Sequence, residues 1–199
     1  DQGAENINLV NPTHYAPMLA DILKNWNCPV PVVYNSSGYE STETLKMLDG
    51  LIDIYLPDFK YIRSDKALRY SAAADYPDVA LAALKEMYRQ TGKAVFDGNV
   101  MKKGMIIRHL ILPQNTNSSL EITDMVLHSF PDAYLSLMAQ YVPCTDLTDF
   151  KEINRKITKR EYNKVVDYAM NSGAENIFIQ DLSSADKTYI PPFDFSGNI

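Results

Sequence analysis

Only two cysteines, Cys28 and Cys144, occur in the 199 residues. They are too few and too far apart for a disulfide framework, and their spacing makes no metal site. Reduced thiols in a cytoplasmic protein are the expectation. Positive charge is also short, with 19 Lys and Arg against 25 Asp and Glu and a net charge of −6. That balance argues against a nucleic-acid footprint, and the densest basic stretch, KKGMIIR, reads as a turn leading into a strand. No apolar run approaches the roughly 18 to 20 residues of a membrane span, so no membrane partner is expected. No signal peptide and no initiator methionine open the sequence, which runs from Asp1 almost directly into the strand-like ENINLV. A fragment of a longer protein is expected.

What is present suits one soluble domain, since 46% apolar content can build a sizeable core. Six stretches read as strands: 6–10, 31–35, 52–59, 105–112, 133–141 and 176–181. Each is rich in β-branched or aromatic residues, and several are apolar on both faces, as strands of a covered parallel sheet are. Helical periodicity lies between them, with Thr13 and Ser41 or Thr42 as candidate caps and Gly50 and Gly92 as stops. Regular alternation of this kind predicts βα units and a parallel sheet. Two polar excursions, 60–75 and 142–157, follow the third and fifth strands. Long connections after strand ends are where α/β barrels build sites. The core is expected over 1–182, with 183–199 as an irregular tail.

Polar residues collect at four strand ends. The stretch DIYLPDFKY places Asp58 and Lys60 two apart, on one face of an extended chain, so carboxylate and amine converge. They form either a site or a structural ion pair. Arg108, inside an apolar strand, needs an anionic partner, whether a ligand or an internal acid. Asn11, Thr13 and His14 follow the first strand, where His14 equally well packs against the helix. Asn35, Ser36, Ser37 and Gly38 follow the second and read equally well as a turn. The NSSGY stretch is no nucleophile elbow. By strand parity His109 faces away from Arg108, and His128 reads as a helix-surface residue. The three histidines stand on separate segments and make no metal centre.

Together NINLVNPTHYAPML, VVYNSSGYESTETLKMLDGLIDIYLPDFKY, GMIIRHLILP and LSLMAQYVP resemble the radical S-adenosylmethionine proteins related to pyruvate formate-lyase activating enzyme, in the same order from about residue 6 to residue 180. The resemblance implies an α/β fold, an incomplete (β/α)6 partial TIM barrel with its first strand missing. It implies S-adenosylmethionine and a [4Fe-4S] cluster as cofactors of the full-length protein, which would cleave S-adenosylmethionine reductively to a 5′-deoxyadenosyl radical. The family's Cys-x3-Cys-x2-Cys loop is absent, so this chain alone is expected to be inactive, with no cluster ligand of its own. Asp58 and Lys60 fall on the family's Asp-x-Lys motif, which helps bind the cofactor and an associated monovalent cation. Asn35, Ser36, Ser37 and Gly38 fall on its Asp-Thr-Asn-Gly stretch, with Asn35 replacing the acid. Arg108 falls on an arginine that reaches the cofactor's carboxylate end. Asn11, Pro12, Thr13 and His14 replace a Gly-Gly-Glu segment, and Gln140 and Tyr141 are expected near adenosine or substrate. Implied partners are a glycyl radical enzyme or another protein substrate and an electron donor such as flavodoxin. Two other classes stay open: a hydrolase or lyase using Asp53 or Asp58, and a non-catalytic small-molecule-binding domain on the same strand ends.

Overall fold

Short runs of branched and aromatic residues form the strands, because only an extended backbone lets such side chains pack alternately on two faces. The computed structural model describes residues 3–143, 145 and 147–180. Six parallel strands alternate with helices: β1 (Ile7–Val10), β2 (Val32–Ser36), β3 (Ile54–Pro57), β5 (Val100–Leu110), β6 (Tyr134–Met138) and β7 (Ile177–Ile179). The remaining strand, β4 (Val95–Asp97), turns back antiparallel onto the start of β5. The sheet order is sequential, β1-β2-β3-β5-β6-β7, and every pairing along it is parallel. Crossovers of one hand between neighbouring strands put all helices on one side, the arrangement of a partial (β/α) barrel. The α/β expectation is met.

The helices are α1 (Ala16–Lys24), α2 (Thr42–Met47), α3 (Ser64–Ser71), α4 (Tyr76–Thr91), α5 (Thr116–Ser129) and α6 (Lys159–Asn171). Alternation sorts the strands cleanly. On β5, Met105, Ile107 and His109 are buried toward the helices, whereas Ile106, Arg108 and Leu110 are half-buried on the concave face. The core between sheet and helices holds Tyr34, Tyr55, Ile107 and Leu135 against Ala20, Leu84, Met87, Ile122 and Val165. No helix among the described residues is long and apolar enough to cross a membrane.

Three local expectations change. The excursion 60–75 contains α3, whose single buried residue is Ala67, so its polar composition hides the periodicity. KKG is not a turn: Lys102, Lys103 and Gly104 lie inside β5, and the turn falls at Gly98 between β4 and β5. Thr13 does not cap α1; it opens a 3-10 turn, Thr13–Tyr15, and its hydroxyl goes elsewhere. Ser41 does cap α2, accepting from Thr44 N at 3.4 Å, and Gly92 follows α4 at φ +61°. Cys144 and the tail 183–199 lie outside the described residues.

Candidate functional site

The site is built where β2, β3, β5 and β6 end side by side. Beyond Pro57 the chain stays extended: Asp58 bridges Arg108 in parallel register, its N–H donates to the Ser36 carbonyl at 3.0 Å, and Phe59 N–H donates to the Arg108 carbonyl at 2.8 Å. Backbone pairing therefore sets Asp58 and Arg108 shoulder to shoulder. Arg108 Nη2 donates to Asn35 Oδ1 at 2.7 Å and lies 2.7 Å from Asp58 Oδ1. The Lys60 ammonium stands 3.5 Å from Asp58 Oδ2.

One carboxylate thus faces two cations, yet the cluster is not saturated. The short Arg108–Asp58 contact is misaligned, leaving Asp58 Oδ1 buried without a hydrogen bond, and Arg108 Nε is also buried without one. Buried polar atoms without a hydrogen bond cost on the order of 1–3 kcal/mol each, so this charged pair retains hydrogen-bonding capacity that its own contact does not use. The two side chains border a cleft of about 360 Å3, lined on the charged side by Asp58, Lys60 and Arg108. Leu110, Leu112 and Met138 make its apolar wall, with Tyr61, Gln140 and Tyr141 at the edges. A zwitterionic head with a flat, less polar body matches that division.

Gly38 and Tyr76 hold the β2 and β3 ends together. At φ +76°, Gly38 brings its backbone so close to β3 that a Cβ would meet the Asp58 carbonyl oxygen at 2.1 Å, so no other residue fits without displacement. The buried Tyr76 hydroxyl accepts from Lys60 N–H at 3.0 Å and shares its proton between the carbonyls of Ser37 and Asp58, at 3.0 and 3.1 Å. Burial pushes its pKa up, keeping it a donor.

The predicted residues divide into two groups. Asp58, Lys60, Arg108, Gln140 and Tyr141 share the cleft, and Asn35 joins them through Arg108. Thr13, His14, Ser36 and Ser37 are not among its lining. Ser36 Oγ accepts from Gly38 N–H and Ser37 Oγ from Tyr39 N–H, which shapes the turn. The Thr13 hydroxyl donates to Glu40 at 2.6 Å, and His14 is exposed. Asp53 sits at the other end of β3, where its carboxylate accepts from Val32 N–H at 2.8 Å. It is too remote to pair with Asp58 as acid and base.

His109 lies on the helix side as strand parity predicts, 2% exposed. Its Nδ1 faces the Phe59 carbonyl at 2.8 Å, so Nδ1 carries the proton and Nε2 accepts from Ser119 at 2.9 Å. Burial lowers its pKa to about 4, which keeps it neutral. Sequence reading missed Glu40, Tyr76 and the apolar wall. The wall had a signal: Leu110 and Leu112 repeat the parity of Arg108. Among the described residues no three His, Cys, Asp or Glu side chains gather as a metal site.

No protein-family model matches the chain. An uncharacterized protein of Methanocaldococcus jannaschii is 28% identical over 178 residues, covering 88% of this chain. The chain spans about half, 49%, of that relative's length. Among solved structures, a domain of pyruvate-formate lyase-activating enzyme from Bacteroides vulgatus superimposes with a TM-score of 0.61 at 14% identity. The match covers 88% of this chain and 98% of that one. At that identity the likeness establishes the fold.

Proposed function

We propose that the cleft binds S-adenosylmethionine and that this chain is the cofactor-binding part of a radical S-adenosylmethionine enzyme of the glycyl radical activase type. One observation carries the reading: the Asp58 carboxylate and the Arg108 guanidinium, each with one buried atom that makes no hydrogen bond, line a cleft whose other wall is apolar. The amino and carboxylate groups of the methionine end can pair with the two side chains, and the adenosine end can lie against Leu110, Leu112 and Met138. Arg108 and Lys60 would hold the carboxylate, Asp58 the ammonium, and Gln140 and Tyr141 the nucleoside edge. Bound beside a reduced [4Fe-4S] cluster, S-adenosylmethionine supplies an oxidising carbon radical by cleavage of its own carbon–sulfur bond.

No three His, Cys, Asp or Glu side chains gather among the described residues, and none of these residues is assigned to that cluster. A monovalent cation does not fit beside Asp58, which already faces Arg108 and Lys60 while Asn35 is neutral. Ser36 and Ser37 would serve the cofactor only by shaping the turn beside the cleft, and Thr13 and His14 are given no contact with it. A glycyl radical enzyme or another protein substrate, with an electron donor such as flavodoxin, completes the proposed system.

The test is S-adenosylmethionine binding to native-length protein by calorimetry, followed by anaerobic reconstitution and assay of 5′-deoxyadenosine under reduction. Binding that weakens in Lys60→Ala, with 5′-deoxyadenosine formed by the wild type, supports the reading. Folded protein that binds no S-adenosylmethionine and releases no 5′-deoxyadenosine overturns it.

A further inference from the structure

The two polar stretches that follow β3 and β6 meet beside the cleft. Arg69 of α3 donates from Nε to Glu152 Oε1 at 2.6 Å and from Nη2 to the Asp149 carbonyl at 3.1 Å. The Tyr70 hydroxyl donates to the same carboxylate oxygen at 3.1 Å. The guanidinium stands 5.0 Å over the Phe150 ring, and that ring lies 6.1 Å from Tyr70. An isolated exposed ion pair counts for little, because water competes and two long side chains must be ordered. Here one guanidinium makes an ionic contact, a backbone hydrogen bond and a cation–π contact together, so one ordering serves three interactions. Arg69 accordingly holds the Glu152 carboxyl down at about 2.

Each side of this clasp continues into one wall of the cleft. The Tyr61 ring lies 6.1 Å from Tyr70, and its hydroxyl meets that of Ser71 at 2.9 Å. Across the cleft, the Tyr141 hydroxyl donates to the carbonyl of Ile153, next to Glu152, at 2.9 Å. Arg69 and Glu152 are not among the lining residues, yet the walls meet through them.

We propose that Arg69 and Glu152 are positioning residues that fix the width of the cleft mouth by holding the Tyr61 wall to the Tyr141 wall, which slows ligand release. The identity of that ligand rests on the S-adenosylmethionine reading; the coupling of the walls does not. In native-length protein, Arg69→Met, Glu152→Gln and the double variant are compared with wild type by hydrogen exchange and by stopped-flow release of S-adenosylmethionine. Each single variant is expected to speed exchange in both 58–63 and 139–143 and to speed release about tenfold, with no further effect in the double variant. Exchange that rises in one wall alone, or release unchanged in folded variants, overturns the proposal. Should a single variant not fold, Arg69→Lys, which keeps the charge and loses the fork, gives the same two readouts. Wild-type protein that binds no S-adenosylmethionine defeats the proposed function, while coupled exchange still decides the clasp.

Discussion

Two acids follow the neighbouring strands β2 and β3, on opposite faces of the sheet, and have opposite fates. On the concave face Asp58 is met by two cations and keeps an oxygen without a hydrogen bond. On the helix face Glu40, 1% exposed, is met by hydroxyls: Thr13 donates at 2.6 Å and Tyr34 at 3.4 Å, and Ser36 also stabilises its charge. Burial pushes the Glu40 carboxyl up, and those donors only partly offset it. An acid met by cations on the open face can take a ligand. An acid closed in by neutral donors ties the loop after β1 to β2 and stays out of the cleft.

The most damaging way to break the contrast is at the residue joining its halves. Gly38→Ala is expected to cost about 3–4 kcal/mol, since left-handed backbone strain adds to a collision with the Asp58 carbonyl. Urea unfolding measures it, and a loss under about 1 kcal/mol would mean that the two loops move apart easily. Next comes Arg108→Met, which leaves Asp58 with Lys60 alone. With both side chains about one-fifth exposed, a loss of about 2 kcal/mol is expected. Adding Asp58→Asn should recover part of it; a strictly additive double variant would argue against coupling of the pair.

Acid titration separates Glu40 from carboxylates held by arginines. A raised pKa means that folded Glu40 binds its proton more tightly than the unfolded chain does, so its contribution to stability falls as pH rises from the ordinary carboxylate range through the raised value. Glu86 and Glu152, held at about 2 by Arg89 and Arg69, behave oppositely: what they contribute is present above the ordinary range and is lost as pH falls toward 2. Glu40→Gln should therefore gain stability relative to wild type as pH rises through the mildly acidic range, read from unfolding free energies; a difference independent of pH would show that Glu40 does not titrate there. The smallest stability effect belongs to Lys60→Ala, under about 1 kcal/mol because the amine is partly exposed. Its expected signature is weaker S-adenosylmethionine binding by about tenfold, measured by calorimetry.

The contrast also shows what sequence could convey. Asp58 and Lys60 were legible because a two-residue period in a strand fixes direction, and Arg108 because a charge in an apolar run needs a partner. Glu40 was not, since its burial depends on Thr13, 27 residues earlier, reaching it across the sheet end. The helix α3 escaped for a related reason: its one fully buried position is an alanine, and it is fixed by tyrosines and ion pairs that carry no apolar period. The short strand β4 is too brief for alternation, although the Asp97-Gly98 pair is a hairpin signal. Tyr76 reads as a helix start, and nothing local indicates that its hydroxyl gathers three backbone groups from two loops.

The sequential strand order bears on how the cleft comes into being. Each parallel strand pairs with the next parallel strand along the chain, across one α-helix or, between β3 and β5, across α3, α4 and β4, so pairing partners are never far apart in chain order, although each crossover must close before its strand can pair. A chain emerging from its amino terminus can add strands in the order in which they pair. In chain order Asn35 and Asp58 precede Arg108, and the Met138, Gln140 and Tyr141 side of the cleft comes last. Because Arg108 is carried on β5, the charge cluster is complete only once β5 lies beside β3.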